Sequence, residues 1–416
     1  MKQQQKATGR LYNTLHQVVH HIPRWSIERL ARRHGVDARR LSATSHVVLL
    51  MLGHLSQARC LMEILDDATL HKSKLYLARR SRPTARNTFS HANRTRPCEV
   101  AEELYWETAR HLCEVSPGFA PPRRVSGFLS RFNERGIFAI DSTTFLLALT
   151  CLESFPYRKR KAAAKAHMRL RVGSFIPSVV RIESGRPQDC TMADELTRDM
   201  QAGDILLADR GYTDFGFLHN LSARKVFWVL RQKADMFYEI VGRRDVKGEI
   251  LADEEVRLKA WTTHLKYPEA FRRVHARVEV DGKTVEMTFL TNNMKWEART
   301  ICELYRARWA IEVFFKELKQ TLQFSDFIGT NTNAVKWQIW TGLLVHLLLH
   351  YLKYLSSWKK PFSRLVGLVK CARWVDCDIV ESLKLYGTAG PPARPQPCYR
   401  QQYLAGFGHG GVELMG

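Results

Sequence analysis

Apolar residues recur at helical spacing along the first part of the chain. The pattern covers residues 25–115, is clearest at 45–65, and contains no strand-like alternation. Pro83 is expected to open a short helix that carries Arg86, Asn87, Ser90 and Asn93 and would suit a helix lying on DNA. A basic surface loop between two packing helices explains this segment equally well. Residues 1–124 are therefore predicted to form an all-helical N-terminal domain, and the prolines and Gly118 within residues 117–122 predict a linker at its end.

After this linker the pattern becomes strand-like. Strands are predicted at residues 137–149, 166–173 and 175–183, then at 203–208 and 226–230, with a helix at 215–225 between the last two. This order is typical of a ribonuclease H-like α/β fold, with a mixed five-stranded sheet flanked by helices. In such a sheet the first and fourth strands are neighbours, so we expect them to lie side by side.

Residues 234–296 are charged and strand-rich, and the turn Asp281-Gly282 predicts a hairpin between residues 271–280 and 284–291. We predict a β-rich insertion domain that interrupts a catalytic domain formed by 125–233 and 297–385. The apolar stretch 339–355 falls short of the roughly 20 residues that span a bilayer, and we interpret it as a buried core helix. Residues 386–416 are predicted to be a poorly ordered tail.

The charge balance points to a polyanionic partner. The chain has 64 Lys and Arg against 41 Asp and Glu, a net charge of +23, and residues 1–100 carry about half of the excess. Nucleic acid explains this excess better than solvated helix faces do. The nine cysteines form no Cys-x-x-Cys pair, and the polar N-terminus has no secretory pattern, so reduced, mostly buried thiols in a cytoplasmic protein are expected, with no membrane partner.

The segment 304–322 carries the sharpest polar pattern. On a single helix, five polar residues fall within roughly 80° of one another: Tyr305, Arg308, Glu312, Lys316 and Lys319. The remaining circumference is apolar, which indicates a buried helix whose charged stripe lines a cleft. The alternative is a salt bridge between Glu312 and Lys316, worth only about a few tenths of a kcal/mol.

The strand pattern identifies two aspartates as candidate site residues. Asp141 lies within an apolar strand, where a buried carboxylate needs a cation or hydrogen-bond donors. Asp209 ends the apolar run 203–208, at the carboxyl end of a strand, where α/β sheets bind ligands. Either residue alone is equally typical of a capped turn, whereas adjacent first and fourth strands bring the two together.

Together these motifs resemble the DDE transposases of bacterial insertion sequences, of the insertion sequence four type. Tyr305, Arg308, Glu312 and Lys319 match the family signature Tyr-x2-Arg-x3-Glu-x6-Lys. The motifs at 141–144 and 209–212 resemble the first and second acidic motifs, in the required order and with room for the insert. The likeness covers about residues 15–370, and the N-terminal region, including 73–77, resembles the extra domain of one branch.

Two departures from the family pattern concern details of the reaction. Gln188 precedes Asp189 where many relatives have His, and Met287 stands where some hairpin-forming relatives place a Trp. Trp261 or Trp296 could supply the missing indole ring instead, although a packing role explains the presence of each tryptophan equally well. A hairpin step is therefore not implied.

The resemblance implies a cut-and-paste transposase. Asp141, Asp209 and Glu312 are expected to hold two Mg²⁺ ions, for which Mn²⁺ substitutes, with Asp141 bridging them. Contacts to DNA are expected from the following side chains: Tyr305, Arg308, Lys316, Lys319, Arg210, Arg86 and Asn87. The expected partners are double-stranded DNA, as terminal inverted repeats and target, and a second copy of the chain.

Three other readings of the sequence remain. A decayed, DNA-binding derivative of a transposase keeps the fold without the reaction, but all three acidic residues are present. A stand-alone metal nuclease cuts without joining. An RNA-binding module is disfavoured because the aromatic motifs of the common RNA folds are missing.

Overall fold

The structure is a computed structural model that describes residues 12–36, 40–120, 131–132, 135–147, 151, 155–158, 161–184, 189–280, 282–322 and 331–388. Gln188, the linker residues 121–124 and the tail from residue 389 onward lie outside these ranges. The last described helix ends at Thr388, so the first residues of the predicted tail are helical.

The N-terminal region is helical, as predicted. Its described helices are α1 (Thr14–His20), α2 (Ser26–Arg33), α3 (Ala43–Ser56), α4 (Leu61–Leu70), α5 (Lys72–Leu77), α6 (Arg86–Thr95) and α7 (Glu99–Val115). The Ser42 side chain accepts a hydrogen bond from the Ser45 amide and so caps the start of α3. The expected short helix after Pro83 is α6.

All of the described strands belong to one mixed sheet. They are β1 (Ile137–Leu147), β2 (Pro156–Arg158), β3 (Lys161–Arg171), β4 (Pro177–Ser184), β5 (Ile205–Ala208), β6 (Phe227–Arg231), β7 (Tyr238–Arg243), β8 (Ile250–Leu258), β9 (Phe271–Val280) and β10 (Lys283–Thr291). Their order is β2-β3-β1-β5-β6-β10-β9-β8-β7, with β4 also paired to β3. The sheet has ten strands rather than the five predicted, because β10 pairs antiparallel with β6 and the insert strands extend the sheet.

The central strands are buried on both faces. Along β5, Ile205 and Leu207 join one hydrophobic core, while Leu206 and Ala208 join the other. Helices α8 (Ala193–Thr197) and α9 (Phe215–Ala223) cover the second core, and α11 (Ala298–Ala307) and α12 (Trp309–Leu322) cover the first. A parallel strand covered on both sides is continuously apolar, which explains the short run that ends before Asp209.

The C-terminal helices complete the first core. They are α13 (Thr332–Leu355), α14 (Phe362–Ala372) and α15 (Ile379–Thr388), and the short α10 (Trp261–His264) lies in the insert. Asn331 caps α13, most of which is buried, so the predicted core helix is confirmed. Helices α3 and α7 pack against α13, and the Trp337 indole donates to the Arg96 carbonyl at 2.8 Å. The N-terminal helices therefore share one core with the catalytic region.

The structure also tests the expectations about membrane spans and cysteines. Among the described residues, the only membrane-span candidate by length and composition is the pair α3–α4, which is bent by 102°; no single helix qualifies. Of the eight described cysteines, only Cys98 and Cys151 are buried, so the expectation of mostly buried thiols is wrong.

Candidate active site

The polar helix predicted over residues 304–322 is interrupted. Helix α11 ends at Ala307 and α12 begins at Trp309. At the junction the Arg308 amide donates to the Tyr305 carbonyl (3.0 Å) and the Ile311 amide to the Arg308 carbonyl (3.1 Å), which are the tighter bonds of a 3₁₀ turn. The apolar residues of this segment were expected to be buried, but Trp309 is 51% exposed. The prediction that the helix is buried around its whole apolar circumference is therefore wrong.

The two aspartates lie on adjacent parallel strands. β1 pairs with β5, and Ile140 is opposite Ala208, so Asp141 and Asp209 follow at the same level. The adjacency predicted from the strand order is therefore present. Asp141 continues β1, whereas Asp209 leaves the sheet at the carboxyl end of β5.

Tyr305 and Arg308 link three carboxylates, which we call the acidic cluster: Asp141, Asp209 and Glu312. The Tyr305 hydroxyl donates to Asp209 Oδ1 at 3.2 Å. The Arg308 guanidinium donates to Asp141 Oδ2 at 3.4 Å and also to Glu312 Oε1. Arg308 is only 9% exposed. It joins Asp141 to Glu312, whereas Asp209 is linked through Tyr305.

Burial sets the protonation behaviour of the cluster. It raises the pKa of Asp141 to about 6, and the neighbouring carboxylates add to the rise, while the Ser142 amide and Arg308 oppose it. Burial also raises the pKa of Tyr305 to about 12, so its hydroxyl remains a donor. Burial disfavours the charged form of Arg308, but Tyr305, Glu312 and Asp141 outweigh it and raise the pKa of the guanidinium. Asp141 and Glu312 therefore share one fixed positive charge.

A second polar network lies behind Asp141. The Ser142 hydroxyl donates to Asp189 Oδ1 at 2.6 Å, and Lys165 Nζ lies 2.8 Å from the same oxygen. Burial opposes the charged form of Asp189, yet these two contacts hold the pKa of its carboxyl below the usual value. A Cβ at Gly211 would lie 3.3 Å from Asp189 Oδ2, so glycine permits the second acidic motif to approach closely. From the sequence, Asp189 was noted only because Gln188 precedes it where many relatives have His, and its contact with Ser142 was not predicted.

The predicted DNA-contacting residues lie in several places. Lys316 and Lys319 are exposed on α12, and Arg210 is exposed beside Asp209. Arg86 and Asn87 are exposed on α6. On the same helix Asn93 is instead buried, and its side-chain carbonyl lies 2.7 Å from His46 Nε2, so this residue packs inside the N-terminal domain.

A cavity of ≈ 410 Å³ lies beside Glu312, between the helices and the β9–β10 hairpin. Tyr305, Arg308 and Glu312 line one side, and Met287 of the hairpin lines the other, whereas Asp141 and Asp209 do not line it. Of the two alternative tryptophans, Trp296 packs against Phe132 and Phe227, as expected for a packing role. Packing does not explain Trp261, which is 73% exposed.

Comparison with known proteins identifies the family. The family model described as "Transposase DDE domain" matches residues 133–348, and a "Domain of unknown function (DUF4372)" matches residues 13–78, which contain α1 to α5. A protein of Sinorhizobium fredii named as transposase y4zB is 30% identical over 55% of this chain and 64% of its own length. A protein of Geobacillus stearothermophilus, named as a transposase for insertion sequence element IS5377, is 26% identical over 51% of this chain and 55% of its own.

The chain thus spans less than two thirds of the length of these two relatives. Among solved structures, a chain of the piggyBac transposase synaptic complex with hairpin DNA has a TM-score of 0.43 and 11% identity, covering 91% of this chain and 80% of that one. The "Transposase DDE domain" model matches more than half of the residues of the present chain, and the chain therefore belongs to the transposase DDE domain family.

Proposed function

We propose that the chain is a DNA transposase that cuts insertion-sequence ends and joins them to a target. The observation that carries this proposal is the acidic cluster, which Tyr305 and Arg308 hold where the parallel pairing of β1 and β5 ends. The finer assignment is to the insertion sequence four type with an extra helical N-terminal domain. The signature residues Tyr305, Arg308, Glu312 and Lys319 support it.

The acidic cluster suits hard divalent cations. All of its side-chain donors are carboxylate oxygens, which Mg²⁺ and Mn²⁺ prefer. The guanidinium of Arg308 lies against two of the three carboxylates, so the space between them already accommodates a cation. Two bound Mg²⁺ ions would stabilise the attacking and leaving oxygens of an in-line displacement at phosphorus.

The chain's own residues position this chemistry. The Ser142 amide holds Asp141 Oδ1 at 2.8 Å, and Tyr305 orients Asp209. In the first step water attacks a phosphodiester at the element's end and releases a 3′-hydroxyl. In the second step this hydroxyl attacks a target phosphodiester, and the displaced strand leaves with its own 3′-hydroxyl. Arg308 turns from the carboxylates to a phosphate oxygen as DNA enters.

The strand order supports a ribonuclease H-like core within the larger sheet. The segment β4-β3-β1-β5-β6 has three antiparallel strands followed by two parallel ones, with the acidic residues on the central pair. The insert then continues this sheet through β10. We retain the domain boundaries at residues 124, 233 and 296 as part of the proposal.

Double-stranded DNA is the proposed partner, as terminal inverted repeats and as target. The net charge of +23 provides the electrostatic attraction. Lys316 and Lys319 are exposed on the helix that carries Glu312, and exposed Arg210 follows Asp209 in the chain. Arg86 and Asn87 on α6 provide a second contact surface. Because two ends of an element must be paired before joining, the active form is a homodimer on DNA.

A cleavage assay tests the proposal. The substrates are fragments that carry the DNA flanking the coding region, with Mg²⁺. Glu312→Gln, which keeps the shape of the side chain, should lose cleavage but retain DNA binding. Glu269→Gln, at an exposed carboxylate paired with His219, is the matched control and should cleave normally. Cleavage by purified Glu312→Gln at the wild-type rate would contradict the site assignment.

The joining step is tested separately with ends that already carry a 3′-hydroxyl. A transposase joins such ends to a plasmid, and the wild-type protein should form these joined products. A stand-alone nuclease cuts the uncut substrate but gives no joined product. A decayed derivative binds the ends and does neither. Either of these two results would overturn the proposed function.

A further inference from the structure

A second cluster of chemically active side chains lies on the other side of α12. It consists of Glu317 from α12 with His346 and His350 from α13, and we call it the histidine cluster. Glu317 follows Glu312 by five residues, which is a rotation of about 140° around a helix. One helix therefore carries a carboxylate of the acidic cluster on one face and Glu317 on another.

We propose that the histidine cluster is a binding site for a transition-metal ion of the Zn²⁺ type. One potential ligand atom from each of the three residues lies within 4.8 Å of the others. His346 and His350 are spaced i, i+4 on α13, so both rings project from the same helix face. Two imidazoles and one carboxylate are an established protein ligand set for zinc, with one coordination position left for water.

The separations fit a shared ion. Ligand atoms bound to one tetrahedral Zn²⁺ lie roughly 3.3 Å apart, because each bond is about 2.0–2.1 Å long. Nε2 of His350 lies 3.1 Å from Glu317 Oε2, and Nε2 of His346 lies 3.8 Å from the same oxygen. Small side-chain movements are enough to equalise these two distances.

An unsatisfied nitrogen points independently to a ligand. His346 is 2% exposed, and its Nε2 has no hydrogen-bond partner among the described residues. A buried polar atom without a partner is costly, and most such atoms in proteins are paired. An ion placed between His346, His350 and Glu317 would satisfy this nitrogen.

The surroundings orient the two imidazoles and leave a route to solvent. Phe175 stacks on His350 with a centroid distance of 4.4 Å, and Phe362 stacks on it at 4.3 Å. Phe314 lies edge-on to His346 at 5.2 Å. A cavity of ≈ 540 Å³, lined in part by Glu317 and His350, adjoins the cluster and has room for a coordinating water.

The ligand chemistry separates this site from the acidic cluster. Mg²⁺ prefers oxygen ligands, whereas imidazole nitrogen favours zinc and its neighbours in the first transition row. The ion would join α12, which carries Glu312, to α13, against which α3 and α7 pack. We infer a structural ion that fixes the catalytic helix against the N-terminal helices, independent of the reaction proposed above.

The test measures metal binding by the full-length chain with excess Mg²⁺ present. After chelation and dialysis, the wild-type protein should retain one Zn²⁺ per chain when zinc is returned, and Co²⁺ should give the visible absorption of a tetrahedral site. His346→Gln and Glu317→Gln should each weaken Co²⁺ binding on the order of tenfold or more. Glu312→Gln and the exposed His219→Gln, whose ring lies 3.4 Å from Glu269, are controls and should bind normally.

A second measurement keeps the test decisive if the variants do not fold. X-ray absorption of the zinc-loaded wild-type protein should show two imidazoles and light oxygen ligands around the metal. Zinc content no greater than background in the wild type would overturn the proposal. Unchanged Co²⁺ affinity in folded His346→Gln and Glu317→Gln would also overturn it.

Discussion

The acidic cluster and the histidine cluster use the same helix in opposite ways. The first combines three carboxylates with one guanidinium where the parallel pairing of β1 and β5 ends, and the Glu312 side chain is one third exposed there. The second is enclosed by aromatic rings between two helices, with both histidines at least 95% buried. Partly exposed oxygen ligands suit a replaceable ion and an entering phosphate, whereas buried nitrogen ligands suit an ion that stays.

Removing a carboxylate of the acidic cluster should have the largest effect. We expect Asp209→Asn to reduce DNA cleavage on the order of 10³-fold or more, because a ligand of the reacting metal is lost. Single-turnover cleavage with Mg²⁺ measures this. Asp235→Asn, at an exposed aspartate, is the control and should cleave normally. Equal rates for the two variants would remove Asp209 from the site.

The effect of removing Arg308 on stability should depend on whether Mg²⁺ occupies the acidic cluster. Without Mg²⁺, Arg308→Ala removes the guanidinium that pairs with Asp141 and Glu312, and we expect the free energy of unfolding to fall by about 2–3 kcal/mol. Mg²⁺ should restore much of this loss, because it replaces the guanidinium. Urea unfolding with EDTA or Mg²⁺ measures both values. An equal loss under both conditions would indicate that Arg308 acts only through packing.

Asp141 should give a pH-dependent effect. Its folded pKa of about 6 exceeds the ordinary value of 3.8, so the folded state holds the proton more tightly, and wild-type stability falls as pH rises from about 4 to 6. In EDTA at pH 7.5, Asp141→Asn should therefore be more stable than wild type by about 1–3 kcal/mol, and the gain should shrink toward pH 4. A gain independent of pH in urea unfolding would contradict the burial of this charge.

Lys319 should give the smallest effect. If its ammonium contacts a phosphate, Lys319→Ala reduces the number of released counterions, and the slope of log affinity against log salt should fall by about 1. Fluorescence anisotropy over a salt series measures the slope. Lys384→Ala, which removes an ammonium paired with Glu381 on α15, is the control and should keep the slope. The same slope in both variants and wild type would exclude a phosphate contact at Lys319.

The acidic cluster was accessible from the sequence because its signals are local. Asp141 and Asp209 each lie at apolar strand runs, and the order of those strands predicts that they are neighbours. The interruption at Arg308 was missed because a uniform helical period does not reveal a 3₁₀ turn. The extension of the sheet was missed for a different reason, since the pairing of β10 with β6 joins segments about 60 residues apart.

The histidine cluster was not found from the sequence, although its parts were visible. In the sequence, His346 and His350 are two polar residues within the apolar stretch 339–355. Their partner Glu317 lies on a different helix, and no spacing rule connects positions on two packed helices. The cluster depends on the packing of α12 against α13, which only the three-dimensional arrangement provides.

The most direct test of the central claim replaces Mg²⁺ by Fe²⁺ and maps where ascorbate and peroxide then cut the polypeptide. If Asp141, Asp209 and Glu312 hold the ion together, cuts should occur near all three residues, weaken with excess Mg²⁺ and disappear in Asp141→Asn. Cuts near residues 346 and 350, at the histidine cluster, should persist in that variant, so the loss is judged at residues 141 and 209. Absence of cuts near residues 141 and 209, or their persistence in Asp141→Asn, would contradict a shared metal site.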